Sequence, residues 1–322
     1  MFRSPFVKKT KKIVCIGGGN AMPNTVLRGL KDKDVELTVV SCVLDSGGSS
    51  GRLRSDYNII SPGDLRRAFI ELANLSFEDK ELLNYRFKEG ELKGHNLGNI
   101  IFSAMVLNKG GYKEIFERLN DFLGKHKILP STIHNADLVA VLENKEEIVG
   151  ETNIDIPKHN SSLKIDKIFL RPEVNVCPQT VKRLGVADAV IIGPGDIYSS
   201  LMQVLLVNGA CEAIKASKAK KIYIPNLMNK NGESNGFKVE DFVNVVENRL
   251  QCPLDYVIFN NKNVSEERLK EYKEEHEELL DLVECNSLDK KFIGEDIVLR
   301  SGDIVHDPEK LAKIIMKLIC KQ

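Results

Sequence analysis

No C-x-x-C pair occurs in the chain. Its seven cysteines stand singly at 15, 42, 177, 211, 252, 285 and 320. That pattern argues against a zinc site, and the apolar surroundings of several, as in KIVCIG and VVSCVL, read as buried reduced thiols of a cytoplasmic protein. Long apolar runs are also lacking, and none approaches the ~18 residues of a membrane span. Net charge is missing as well. Lys+Arg and Asp+Glu both number 46, so no global field recruits nucleic acid or an anionic membrane. The basic start, MFRSPFVKKTKK, has no apolar centre of the kind a signal peptide needs, and residues 1–10 read as a flexible, solvated tail. A Walker A string, G-x-x-x-x-G-K-[ST], is absent too.

Glycine, by contrast, gathers at the ends of apolar strands. KKIVCIG (11–17) runs into Gly17, Gly18 and Gly19, and a helical segment with Val26, Leu27 and Leu30 on one face follows. VELTVVSCVLD (35–45) is too continuously apolar for a sheet with one wet face, so this β–loop–α–β order predicts parallel strands buried on both sides. Ser61-Pro62-Gly63-Asp64 opens a further helix. A charged helical stretch (78–93) precedes a helix begun by HNLGN. DLVAVLENKEEIVGETNI predicts a hairpin, to which KIDKIFLRPEV adds a strand. ADAVIIG (187–193), KKIYIPNLM (220–228) and LDYVIFN (254–260) return to the parallel pattern, residues 265–283 read as a charged helix, and LAKIIMKLI docks as an amphipathic one. The expected architecture is one α/β domain over 1–322, doubly wound around a mostly parallel sheet, with an inserted β-hairpin and helical elaborations.

In such sheets ligands sit beyond the carboxyl ends of the strands. Three glycine-rich loops occupy such ends: GGGN (17–20), DSGGSSG (45–51) and GPGD (193–196). Their convergence predicts a nucleotide or other phosphate ligand held by Gly17, Gly18, Gly19, Asn20, Gly47, Gly48, Gly51, Gly193, Gly195 and Asp196. Ser49 and Ser50 add hydroxyls, and Arg52 and Arg54 add planar forks suited to phosphate. The first loop lacks the third glycine of G-x-G-x-x-G, which leaves only a faint dinucleotide signal. Asp45 and Asp64 together could hold Mg²⁺. Two structural roles compete: Asp64 as capping partner of Ser61, and Asp45 as a turn residue bonding its own backbone. Asn96 fits a helix N-cap, and with Asn99 one turn on it could read a base or sugar.

Taken together, LDSGGSSGRLR, SPGDLRRAFIELAN, LKGHNLGNIIFSAM, IIGPGDIYSSLMQVLLVNG and HDPEKLA resemble the YvcK/CofD-like family, in order and spacing, across nearly the whole chain. The resemblance implies a Rossmann-like fold and a cytoplasmic nucleotide ligand: a UDP-sugar in the YvcK, or gluconeogenesis-factor, branch, which supports carbon metabolism and cell-wall construction. In the CofD branch it implies Mg²⁺-assisted transfer of a phospholactyl group to the deazaflavin Fo. By motif, Asp45 and Asp64 match acidic positions of the metal and phosphate region. Where the second loop often carries paired aspartates, this chain has Ser46. One charge fewer predicts a weaker hold on Mg²⁺ and ligand binding that changes little on chelation. The expected partner is a nucleotide or nucleotide-sugar, with homo-oligomerisation left open.

Overall fold

The computed structural model describes residues 10–108 and 111–320; positions 1–9 of the expected basic tail lie outside the described residues. Its main feature is a seven-stranded, all-parallel sheet built from β1 (Lys11–Gly17), β2 (Val35–Ser41), β3 (Lys127–Pro130), β7 (Ala189–Ile192), β8 (Lys220–Tyr223), β10 (Tyr256–Asn260) and β12 (Phe292–Glu295), in the order β12-β10-β8-β7-β1-β2-β3. The expected doubly wound, Rossmann-like α/β architecture is therefore present.

Strand alternation explains why these sequences are apolar without interruption. Ile13 and Cys15 of β1 join Leu37, Val39, Ala189 and Ile191 in the core on one face. Val14 and Ile16 join Val40, Val190 and Ile192 on the other. Successive side chains point to opposite faces, so a strand covered on both sides must be apolar at every position. Each Val or Ile buried this way stabilises the sheet by roughly 1.5–3 kcal/mol. The closing helix, Pro308–Cys320, buries Leu311, Ala312, Ile315, Leu318 and Ile319 as its spacing predicts.

Chain order reverses beside β1. From β1 the chain winds outward through β2 and β3, then returns to β7 on the opposite side of β1 and winds outward again. Between these halves lies the hairpin, β4 (Asp137–Leu142) with β5 (Glu147–Val149), joined by β6 (Ile165–Arg171) in an antiparallel sheet. A small pair, β9 (Met228–Lys230) with β11 (Leu279–Leu282), completes the strands.

Four local expectations are corrected. The second strand ends at Ser41, because its pairing with both β1 and β3 ends there. The Gly/Ser/Arg stretch is largely helix, Gly48–Tyr57. The charged stretch 265–283 stays helical only over Glu266–Glu275; Leu279–Leu282 instead pairs with β9. The helix expected over 78–93 is confined to Phe77–Asn84.

Candidate functional site

Loops after β1 and β7 lie side by side, since Ile16 pairs with Ile192 at the ends of the two strands. Here the winding direction changes, and an open parallel sheet leaves a crevice at such a point. The crevice measures about 990 Å³ and is lined by Gly18, Gly19, Asn20, Asp45, Asp64, Gly195 and Asp196, among others. Both loops run into short π-helical turns, Pro23–Leu27 and Ile197–Leu201, a geometry often found at functional sites.

Asp64 secures the floor of the first loop. Its Oδ1 accepts a hydrogen bond from Gly19 N at 3.0 Å and pairs closely with the Arg67 guanidinium, three residues on along the same helix. Ser61 Oγ is buried without a partner, so Asp64 does not act as its capping mate. Gly18 must be glycine for a steric reason: a Cβ there would run into the Asp64 carboxylate and lie 2.8 Å from Cys42 Sγ. Asp64 is thus already neutralised by the chain's own cation.

Asp45 has a different neighbour. Its Oδ1 accepts from Gly47 N at 2.8 Å, the turn-forming bond expected of an Asp at this position. It also lines the crevice with Glu151, the first residue of a short helix, Glu151–Asp155. Glu151 in turn accepts from Ser46 N at 3.3 Å and from Thr152 Oγ1 at 3.0 Å. A carboxylate at this turn therefore arrives from the short helix after the hairpin, 105 residues beyond Ser46. Burial, with the nearby Asp64 charge, raises the Asp45 carboxyl above its ordinary range. Burial, then the charges of Asp45 and Asp155, push Glu151 up to about 8. Two buried carboxylates that oppose each other's ionisation favour a proton or a cation at their site.

This pair has a pH consequence. An unfolded glutamate releases its proton near 4.5, whereas folded Glu151 keeps it to about 8. Between those values the folded chain binds more protons than the unfolded one, so stability falls as pH rises. Glu151→Gln removes the titrating group. It should stabilise the metal-free protein by about 1–3 kcal/mol more at pH 8 than at pH 4.5, as measured by urea unfolding. A pH-independent difference would contradict the raised titration of Glu151.

A second acidic centre lies on the crevice wall. Lys230 Nζ pairs closely with Asp155, sits 2.9 Å from Asp196 Oδ2 and 3.5 Å from Glu233 Oε1. Glu233 Oε2 accepts from the backbone N–H groups of Tyr198 and Ser199, both at 3.0 Å, and its Oε1 accepts from Ser199 Oγ at 2.7 Å. Burial, with Asp196 alongside, still pushes Glu233 up to about 7. Asn226 ties the loops after β7 and β8 together, accepting from Gly195 N at 3.0 Å and donating to Asp196 Oδ1 at 2.7 Å.

The sequence profile of the family described as 2-phospho-L-lactate transferase CofD matches residues 13–298. The chain belongs to the CofD family. A Thermotoga maritima relative is 38% identical over 95% of this chain and 99% of its own length. The Bacillus subtilis gluconeogenesis factor is 32% identical over 96% of this chain and 98% of its own. A crystal structure of a UPF0052 family protein from Bacillus halodurans superposes with a TM-score of 0.89, at 30% identity, covering 96% of this chain and all of that one.

Within this CofD-family crevice the motif residues divide. Gly18, Gly19, Asn20, Asp45, Asp64, Gly195 and Asp196 line it. Gly17 closes β1, and Gly193 lets the loop after β7 approach the Ile224 carbonyl in a left-handed conformation that admits no Cβ. Gly47 packs on Thr152, Gly51 on the Ser46 backbone, and Gly48 begins the helix at φ 51°. Ser49 and Ser50 serve a helix contact: Ser49 Oγ accepts from Asn96 N at 3.0 Å, and Ser50 Oγ accepts from Asn99 Nδ2 at 3.1 Å. Asn96 Oδ1 accepts from Asn99 N at 3.1 Å, the N-cap bond its position predicts. Neither asparagine lines the crevice.

Arg52 and Arg54 are also placed elsewhere. Arg54 bonds Asp137, Ala136 O and Leu44 O, clamping β4 to the second loop. Arg52 is exposed and donates to Lys93 O at 3.0 Å, because the helix carries its side chain away from the strand ends. Arg52→Ala is accordingly expected to change ligand affinity by less than about 0.5 kcal/mol in calorimetry. Sequence reading missed Arg67, Glu151, Lys230 and Glu233. Three of these had local signals, since Arg67 follows Asp64, and Glu233 follows Lys230, at three-residue spacing. Glu151 had none.

Proposed function

We propose that this chain binds a nucleoside-diphosphate sugar of the UDP-sugar class in the β1/β7 crevice, and acts as a gluconeogenesis factor of the YvcK type in carbon metabolism and cell-wall construction. The observation that carries the ligand reading is the crevice itself. It stands at the switch point, its volume suits a ligand of that size, and two glycine loops let the ligand approach the backbone. The regulatory role is supported by full-length similarity to the B. subtilis gluconeogenesis factor.

Mg²⁺ fits the Asp45–Glu151 pair. Hard carboxylates that resist ionising together, facing a diphosphate, are the setting in which Mg²⁺ takes one or two protein oxygens and completes its shell with phosphate and water. When bound, the ion would neutralise the charge that otherwise repels the diphosphate. Asp64, held by Arg67, does not fit as a ligand. Chelation is therefore expected to weaken nucleotide binding, which reverses the expectation drawn from Ser46.

A second reading, transfer of a phospholactyl group to Fo, is favoured by the family's description and uses the same Asp45–Glu151 pair. A thermal-shift panel of UDP-sugars, GDP, GTP and NAD, each with and without Mg²⁺, tests the ligand class. A ligand at a hundred times its Kd stabilises by ~2.7 kcal/mol. Stabilisation by UDP-sugars with Mg²⁺ is the expected result; stabilisation by NAD alone would overturn it. Release of free nucleotide when Fo is added would select the transferase.

A further inference from the structure

The crevice has two acidic centres, and they differ in how their charge is balanced. Asp45 and Glu151 both line the crevice, and the charge of each opposes ionisation of the other. Asp155, Asp196 and Glu233 bring carboxylate oxygens to within 4.8 Å of one another, the one such triad among the described residues. Distances of that order suit a divalent cation with oxygen ligands. Yet the Lys230 ammonium reaches all three carboxylates, so a metal ion and this side chain compete for one place.

We propose that Lys230 is a built-in cation standing in for a metal ion: it closes the Asp155–Asp196–Glu233 centre to divalent cations and leaves the Asp45–Glu151 pair as the crevice's open one. Three features support this. Lys230 is only 7% exposed, so its ammonium has exchanged water for these carboxylates. Its charge is held firmly, because Asp196, Glu233 and Asp155 outweigh the opposing effect of burial and raise its pKa. The three acids also come from three separate segments: the Glu151–Asp155 helix, the loop after β7 and the turn after β9. One ammonium thereby fastens the crevice wall without borrowing an ion from solution. A divalent ion would have to displace a charge tethered four methylenes from the backbone, whose effective concentration at the site is far above that of free metal.

The test uses Mn²⁺ alone, without nucleotide, so its outcome is independent of the ligand reading above. Mn²⁺ binding is counted by electron paramagnetic resonance of the free ion in four proteins: wild type, Asp196→Asn, Lys230→Met, and Lys230→Met with Asp196→Asn. Lys230→Met should bind one more Mn²⁺ per chain than wild type, and the double variant should lose it. Asp196→Asn alone should bind as many ions as wild type. Lys230→Met leaves three carboxylates uncompensated and should have a lowered melting temperature that Mn²⁺ raises by several degrees more than it does for wild type. If that variant does not fold, wild type and Asp196→Asn still decide the matter. A drop in Mn²⁺ stoichiometry on Asp196→Asn would mean that metal already occupies the centre despite Lys230. Equal stoichiometry of folded Lys230→Met and wild type would equally overturn the proposal.

Discussion

Asp45→Asn should lower affinity for a UDP-sugar more than tenfold when Mg²⁺ is present, and should have little further effect once Mg²⁺ is chelated. Asp45 lies at the crevice where β2's loop meets the hairpin, and Asn keeps its size and its ability to accept from Gly47 N. What Asn lacks is the anionic oxygen. With Glu151 as the remaining carboxylate, the pair offers one charge instead of two, and hard cations respond to ligand charge. The measurement is isothermal calorimetry on wild type and variant, each with Mg²⁺ and with EDTA. Because burial and the Asp45 charge push Glu151 up to about 8, metal binding should also release a proton, visible as a dependence of the heat on buffer ionisation. An equal loss of affinity with and without Mg²⁺ would assign Asp45 to direct ligand contact instead.

Arg67→Met is expected to destabilise the fold by about 3–5 kcal/mol. Asp64 is 6% exposed. Its other partner is the Gly19 N–H, and Met fills the space of the arginine stem without its charge. The cost arises from the orphaned buried carboxylate, so Arg67→Met/Asp64→Asn should recover a substantial part of it. Gly19 sits directly on Asp64, so the single variant should also lower ligand affinity through a displaced first loop. Chemical denaturation of both variants checks the prediction. A double variant no more stable than the single one would show that the guanidinium acts through packing.

The central sheet was legible in the sequence because its signal is local. Strands such as AVII, buried at all four positions, are apolar throughout, and glycine marks where they stop. β3 and β12 were not anticipated. KILP and FIGE are short, and pairing with β2 and β10 defines them more than composition does. In the site, Gly18, Gly19 and Asp196 were found by position at strand ends. Arg52 was misplaced because a Gly/Ser run can equally start a helix, and Gly48–Tyr57 does so by packing Gly51 against Ser46. Glu151 shows the limit most clearly. Its partner Asp45 is distant in sequence, and only the return of the chain through the hairpin brings the two carboxyls together.

The most direct test is a crystal structure with a UDP-sugar and Mn²⁺, read by anomalous scattering. The diphosphate should lie between the Gly18–Asn20 loop and the Gly195–Asp196 loop, with Mn²⁺ on Asp45 and Glu151. A ligand bound instead along the Gly48–Tyr57 helix beside Arg52, with the crevice empty, would contradict this account.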